Sequence, residues 1–168
     1  LKKGHVRSDV FDALGVLRAA GIALRSSWVA FTPWTTLADY LDMLDFVEEQ
    51  GLVEQVDPVQ LSIRLLVPPG SSLLEGSDIA RHLRGLDQAN FFHRWSHPDP
   101  RMDELHEKAS LRAEEAASQD EDPYAAFAGI RSLALQAAGL PQRGLPRRPA
   151  QNHQRPPRLS ESWFCCAE

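Results

Sequence analysis

The chain has 168 residues, 43% of them hydrophobic, and a formal net charge of -5. That length can bury a real core in one domain or two small ones. The acidic balance gives no reason to expect a nucleic-acid partner, and no apolar run approaches the ~18 residues of a membrane span. Its two cysteines, Cys165 and Cys166, are adjacent. That excludes a disulfide framework and suits a reducing cytoplasm.

Residues 1–8 form a polar approach in which Ser8 or Asp9 can cap a helix. The first residue is Leu1 rather than Met, so the chain is expected to be a piece of a longer protein. Val10, Ala13, Leu14, Leu17 and Ala20 form a helical stripe over 9–20, closed by Gly21. A strand is expected over 22–32, stopping at Thr32-Pro33 and turning over Trp34-Thr35. Thr36 then opens a second helix, with Leu37, Tyr40, Leu41, Leu44, Phe46 and Val47 on its apolar side and Gly51 at its end. Over 58–67, Val59, Leu61, Ile63, Leu65 and Val67 alternate with Gln60, Ser62 and Arg64, which reads as a strand running into Pro68-Pro69-Gly70-Ser71. Strand, helix, strand with short turns predicts two neighbouring parallel strands in a right-handed crossover, with chemistry at their carboxyl ends. Arg64, in the polar row, is a candidate to meet a substrate or cofactor carboxylate, the alternative being a local aspartate.

Helices are expected after residue 72. Gly76-Ser77-Asp78 starts one, with Ile79, Leu83 and Leu86 along a side, and a loop rich in aromatics and histidine follows over 90–100. His93 and His97 stand four apart, a metal-binding spacing on a helix. Pro98 biases His97 away from helix and no third ligand is fixed, so no metal site is expected. A charged helix covers 100–118 and a last one 124–138, stopped by Gly139 and Pro141. Residues 141–158, rich in Pro, Arg and Gln, read as a flexible tether. Its arginines contrast with the acidic helices before it, so weak electrostatic docking onto the body stands as the alternative to the favoured soluble linker. The tether ends in Trp163-Phe164-Cys165-Cys166, a thiol pair on an arm whose thiolates can exchange electrons.

Two sets of these residues carry a resemblance. Pro33, Thr36, Pro69, Gly70, Ser71 and Leu73 resemble the turns that close the fifth and sixth strands of a radical SAM barrel. Phe31, Trp34 and Thr35 depart from the Gly, Gly and Glu of that pattern. Ser162-Trp163-Phe164-Cys165-Cys166-Ala167-Glu168 is similar to the terminal signature of the CUAEP/CCAEP-tail radical SAM proteins, without its final Pro. The resemblance implies an α/β chain comprising a partial radical SAM-type parallel barrel over 1–75, a helical cap over 76–140 and a disordered tail over 141–168. It implies cofactor-binding roles for Val29, Arg64 and Val67, and a catalytic redox role for Cys165 and Cys166. S-adenosylmethionine and a four-iron four-sulfur cluster would belong to the parent protein, with cobalamin an allowed addition. The cluster needs three cysteines, which this chain lacks. The partners would be the missing amino-terminal half and an unknown substrate, and the piece alone would be inactive. The rival reading is a non-catalytic helical module that binds a protein through the aromatic loop and the arginine tether.

Overall fold

The computed structural model describes residues 4 and 6–148. Five helices dominate: α1 (Arg7–Ala19), α2 (Leu37–Glu49), the short α3 (Ser77–Ala80), α4 (Pro100–Ser118) and α5 (Pro123–Ala137), with 3-10 turns at Pro58–Leu61 and Ser72–Glu75. The sheet among the described residues is one antiparallel hairpin, β1 (Leu83–Asp87) and β2 (Phe92–Trp95).

The helix boundaries follow local chemistry. Thr36 caps α2, its hydroxyl accepting from Asp39 N while the Asp39 carboxylate accepts from Thr36 N, so two otherwise unpaired amides are satisfied together. Asp99 and Asp122 accept from the first amides of α4 and α5, each of which carries Pro in its first turn. The Thr36 bonds hold the Asp39 carboxyl below its ordinary value, and the Arg148 side chain helps do the same for Asp122 against its burial. Gly51 takes a φ of 61° and lets Leu52 N reach back to Val47 O. Asp120, at φ 47°, ends α4 with the same reach-back, Glu121 N donating to Ala116 O.

The core lies where α2, α4 and α5 meet the 58–61 turn. Tyr40, Leu44, Val47, Leu61, Leu105 and Ile130 are all buried there. A second, smaller cluster of Val67, Ile79 and Trp95 sits under the hairpin, with Trp34 and Leu83 packed on it. Leu14 joins α1 to the main core.

The expected parallel barrel portion is not what forms. Residues 22–30 have no regular structure, 58–61 is a 3-10 turn, and the two segments share one parallel bridge, Phe31 with Arg64. Phe31 N donates to Ile63 O and Leu65 N to Phe31 O. Before that point side chains take over from the ladder. Arg25 pairs with Asp57, and Trp28 N donates to Gln60 Oε1, both across 32 residues. The segments therefore run in parallel alignment without being strands. Pro58 explains the break, because its fixed φ and missing N–H suit the first position of a tight turn and not a ladder. Ser62 Oγ then donates to Val59 O and holds the turn.

The helix expected through Leu83 and Leu86 is likewise replaced, after α3, by the hairpin. Gly85, at φ 94°, marks the bulge between Leu83 and Leu86. Asp87 Oδ1 accepts from Ala89 N and Asn90 N, which folds the connecting turn. The Arg94 side chain, with the Asn90 bonds, holds the Asp87 carboxyl below its ordinary value.

Residues 141–148, expected as free tether, lie on the helices. Arg143 pairs with Asp45, Arg148 pairs with Asp122 and stacks over Tyr124, and Pro146 is buried. The rest of the expected tail, 149–168, lies outside the described residues.

Tyr40 donates from its buried hydroxyl to Leu61 O at 2.8 Å, and burial raises its phenol above the ordinary value. Tyr40→Phe should strand that carbonyl and lower the unfolding free energy by about 1–2 kcal/mol, with little change in the slope of a urea titration. A loss below a few tenths would mean that this bond does not hold the 58–61 turn to α2.

Candidate binding cleft

A cleft of about 910 Å³ opens beside the 62–66 segment. Its walls come from Ile63, Leu65 and Leu66, from Phe92 and Trp95 of β2, and from Ala113 and Ala117 of α4. Amphipathic α4 turns Met102, Leu105 and Ala109 into the core. Three residues on from Asp103 comes His106, and seven on comes Ser110, the spacing that keeps polar side chains on one helical face.

Arg64 governs this wall. Its guanidinium sits 3.7 Å from the Trp95 ring centroid, donates to Trp95 O at 2.8 Å, and lies 2.8 Å from Asp103 Oδ1. The Asp103 contact is an ion pair without an aligned hydrogen bond. Trp95 Nε1 returns the link by donating to Leu65 O. Other lining cations are matched as well, Arg25 by Asp57 and Arg94 by Asp87, and the lining carboxylate Glu121 is held by Arg112. Gly129 makes room for the last pair, since a Cβ there would come 2.5 Å from Arg112 Nε.

His106 packs edge-on against Phe31, ring centroids 5.1 Å apart. Burial, with Arg64 nearby, pushes its pKa down to about 4 despite the opposing Asp103 charge. The ring is neutral at pH 7 and a weak base. Ser110 Oγ approaches His106 Nε2 at 3.4 Å, long for an activated nucleophile and its base. Apolar walls, arginines matched to carboxylates and a neutral imidazole suit this cleft to apolar contact.

The residues marked from sequence are dispersed. Arg64 lines the cleft, with its charge already engaged by Asp103, the local-aspartate alternative. Val67 is fully buried in the small cluster and Val29 is exposed. Of the three, only Arg64 borders the cleft, so they do not frame a common cofactor site. Cys165 and Cys166 lie outside the described residues. His93 borders this cleft while His97 borders a different pocket. Among the described residues no group of three or more His, Cys, Asp or Glu is placed to hold a metal ion, and no helix is long and apolar enough to cross a membrane. Asp103 and His106 were missed from sequence, although their spacing along 100–118 was the available signal. No family model, curated protein or solved structure matches the chain.

Arg64 and Asp103 are half-buried, so removing either leaves its partner poorly compensated. Arg64→Met and Asp103→Asn should each cost about 1–3 kcal/mol. The double variant should cost less than the sum by about 1 kcal/mol in chemical denaturation. Strict additivity would show that the pair does not couple.

His106 also sets a pH dependence. Its folded pKa lies below the unfolded 6.5, so the unfolded chain binds more protons as pH falls from about 6.5 to about 4. Stability is lost through that window and no further below it. After allowance for solvent screening, the His106 share should be about 1–2 kcal/mol. Buried His82, whose pKa is also lowered, adds to the same trend. His106→Leu should flatten the profile of unfolding free energy between pH 6.5 and 4, and a profile parallel to that of the unaltered chain would contradict this assignment.

Proposed function

We propose that the chain is a binding and redox-capable carboxyl-terminal part of a radical SAM enzyme of unspecified substrate. What carries this reading is the parallel alignment of 25–31 with 57–64, joined through α2. It sends both segments the same way into the Pro33 turn and the Pro68-Pro69-Gly70-Ser71 turn, the two turns on which the resemblance rests. The tail signature at Cys165-Cys166 adds independent support. Two cysteines cannot ligate a four-iron four-sulfur cluster, and Val29, Arg64 and Val67 do not frame a site for S-adenosylmethionine. Both groups, and the radical chemistry they supply, are therefore assigned to the rest of the parent protein. This chain contributes the cleft wall and the thiol pair. The dithiol would pass two electrons and two protons to an oxidised two-electron acceptor in the parent protein as its S–S bond forms, and an external thiol reductant would restore it.

One observation favours a second reading, a protein-interaction module. Phe91, at the hairpin tip, holds φ 58° and is 69% exposed. An aromatic residue in a strained, solvated position suits a partner contact.

The test uses the full-length parent protein, and its first arm is the reading frame itself. A Cys-x-x-x-Cys-x-x-Cys run upstream of this chain supports the enzyme reading, and its absence favours the module. In the full-length protein Cys166→Ala should cut steady-state turnover with the physiological reductant at least about tenfold, while a single turnover survives. Unchanged multiple turnover would remove the tail from the chemistry.

A further inference from the structure

A second pocket, of about 540 Å³, lies between the Pro33-Trp34 turn and the base of the hairpin, and shares no lining residue with the cleft. Its wall carries Arg81, Arg84, His82 and His97, with Ser96 and Thr36 as hydroxyl groups, and no carboxylate. That composition is unusual in a chain of net charge -5. Eight of the other arginines, among them Arg64, Arg94 and Arg131, are paired to carboxylates. Arg81 and Arg84 form no ion pair among the described residues. Arg84 Nη1 donates to the carbonyls of Arg81 at 3.3 Å and Leu83 at 3.0 Å, and Arg81 Nε donates to His82 Nε2 at 3.1 Å. Both guanidiniums thus retain free donors.

The pocket also borders an unfinished hydrogen bond. His97 is 9% exposed, and its Nε2 is buried without a partner. The shorter contact of its other ring nitrogen is with Asp99 N, which donates to Nδ1 at 2.9 Å. A ring nitrogen that accepts must be unprotonated, so the neutral ring carries its proton on Nε2. The result is a buried N–H donor lacking an acceptor, a costly arrangement unless something supplies one. Three carboxylates close to the pocket residues in sequence are committed elsewhere. Asp99 pairs with Arg101, Asp103 pairs with Arg64 and accepts from His97 N, and Asp39 caps α2 through Thr36.

We propose that this pocket binds the anionic end of a small ligand, a carboxylate or phosphate group, with Arg81 and Arg84 supplying charge and His97 a buried donor. Oxygen acceptors bearing negative charge match all three groups, and charge-assisted bonds to guanidinium are the strong ones. The inference stands apart from the proposed function, since it needs neither the tail nor any cofactor.

The test is a titration of the 168-residue chain with inorganic phosphate and, separately, with succinate, followed by the imidazole nitrogen and proton signals of His97. A saturable shift with either probe is expected, and comparison of the two identifies the preferred anion class. Arg81→Gln/Arg84→Gln should weaken that binding at least about tenfold. Both positions are exposed, so the double variant should keep the thermal melt of the unaltered chain, which separates lost charge from lost fold. No saturation with either probe overturns the proposal. So does saturation that the double variant leaves unchanged, and so does arginine-dependent binding that never moves the His97 signals, because the anion would then sit elsewhere.

Discussion

The structure depends on how one charge, the Arg64 guanidinium, is held at a junction of three pieces. A cation placed there needs compensation from several directions. Trp95 gives it a ring face and a carbonyl, Asp103 gives it a counter-charge, and the Arg64 backbone pairs with Phe31. Those partners belong to β2, α4 and the 22–32 segment. The hairpin cannot shift without removing the ring, nor α4 without removing the carboxylate. His106, one turn further along α4, is left between Phe31 and that cation, and is neutral for this reason. The cleft is therefore a by-product of satisfying Arg64, and its shape is as fixed as that network.

A similar logic binds the helices together. Arg131 of α5 is almost wholly buried, and it is tolerated there because Glu48 of α2 and Gly144 O meet it from two sides. The Gly144 contact draws the 141–148 segment down onto the helices, where Arg143 and Arg148 find Asp45 and Asp122. Exposed pairs of this kind are worth only tenths of a kcal/mol each. What makes the docking credible is the burial of Pro146 and the stacking of Arg148 on Tyr124. The acidic helices and the arginine-rich segment after them form a matched set of charges.

Much of the helical part was legible in sequence because its signals are local. Thr36 with Asp39, Asp99 with Pro100 and Asp122 with Pro123 each mark a start within one turn of chain. The observed α4 (Pro100–Ser118) has the expected bounds, and α5 (Pro123–Ala137) differs by one residue at each end. The strands failed because alternation is necessary for a strand and not sufficient. Val59 to Leu65 alternates apolar with polar residues, yet Pro58 starts a turn and Leu61 is drawn into the helical core. Ile79, Leu83 and Leu86 gave a helical spacing that Gly85 and the Asp87–Asn90 turn override. Apart from Arg64 the cleft was not legible, since Arg64 meets Trp95 and Asp103 only across more than thirty residues of sequence.

The distribution of charge then separates structural groups from available ones. Around the cleft, Arg25, Arg64 and Arg112 each meet a carboxylate within the chain, and in a low-dielectric setting such pairs are spent on holding the walls. A ligand there gains from apolar contact with Trp95 and Leu65 rather than from charge. Around the Pro33-Trp34 turn the balance is opposite, with cations turned toward space and the neighbouring carboxylates occupied. Asp103 links the two regions, facing Arg64 with one oxygen and His97 N with the other. Any shift of α4 that changes the cleft must therefore also move the backbone of His97. The two pockets differ in chemical preference, and Asp103, which lines neither, ties α4 to Arg64 on one side and to the His97 backbone on the other.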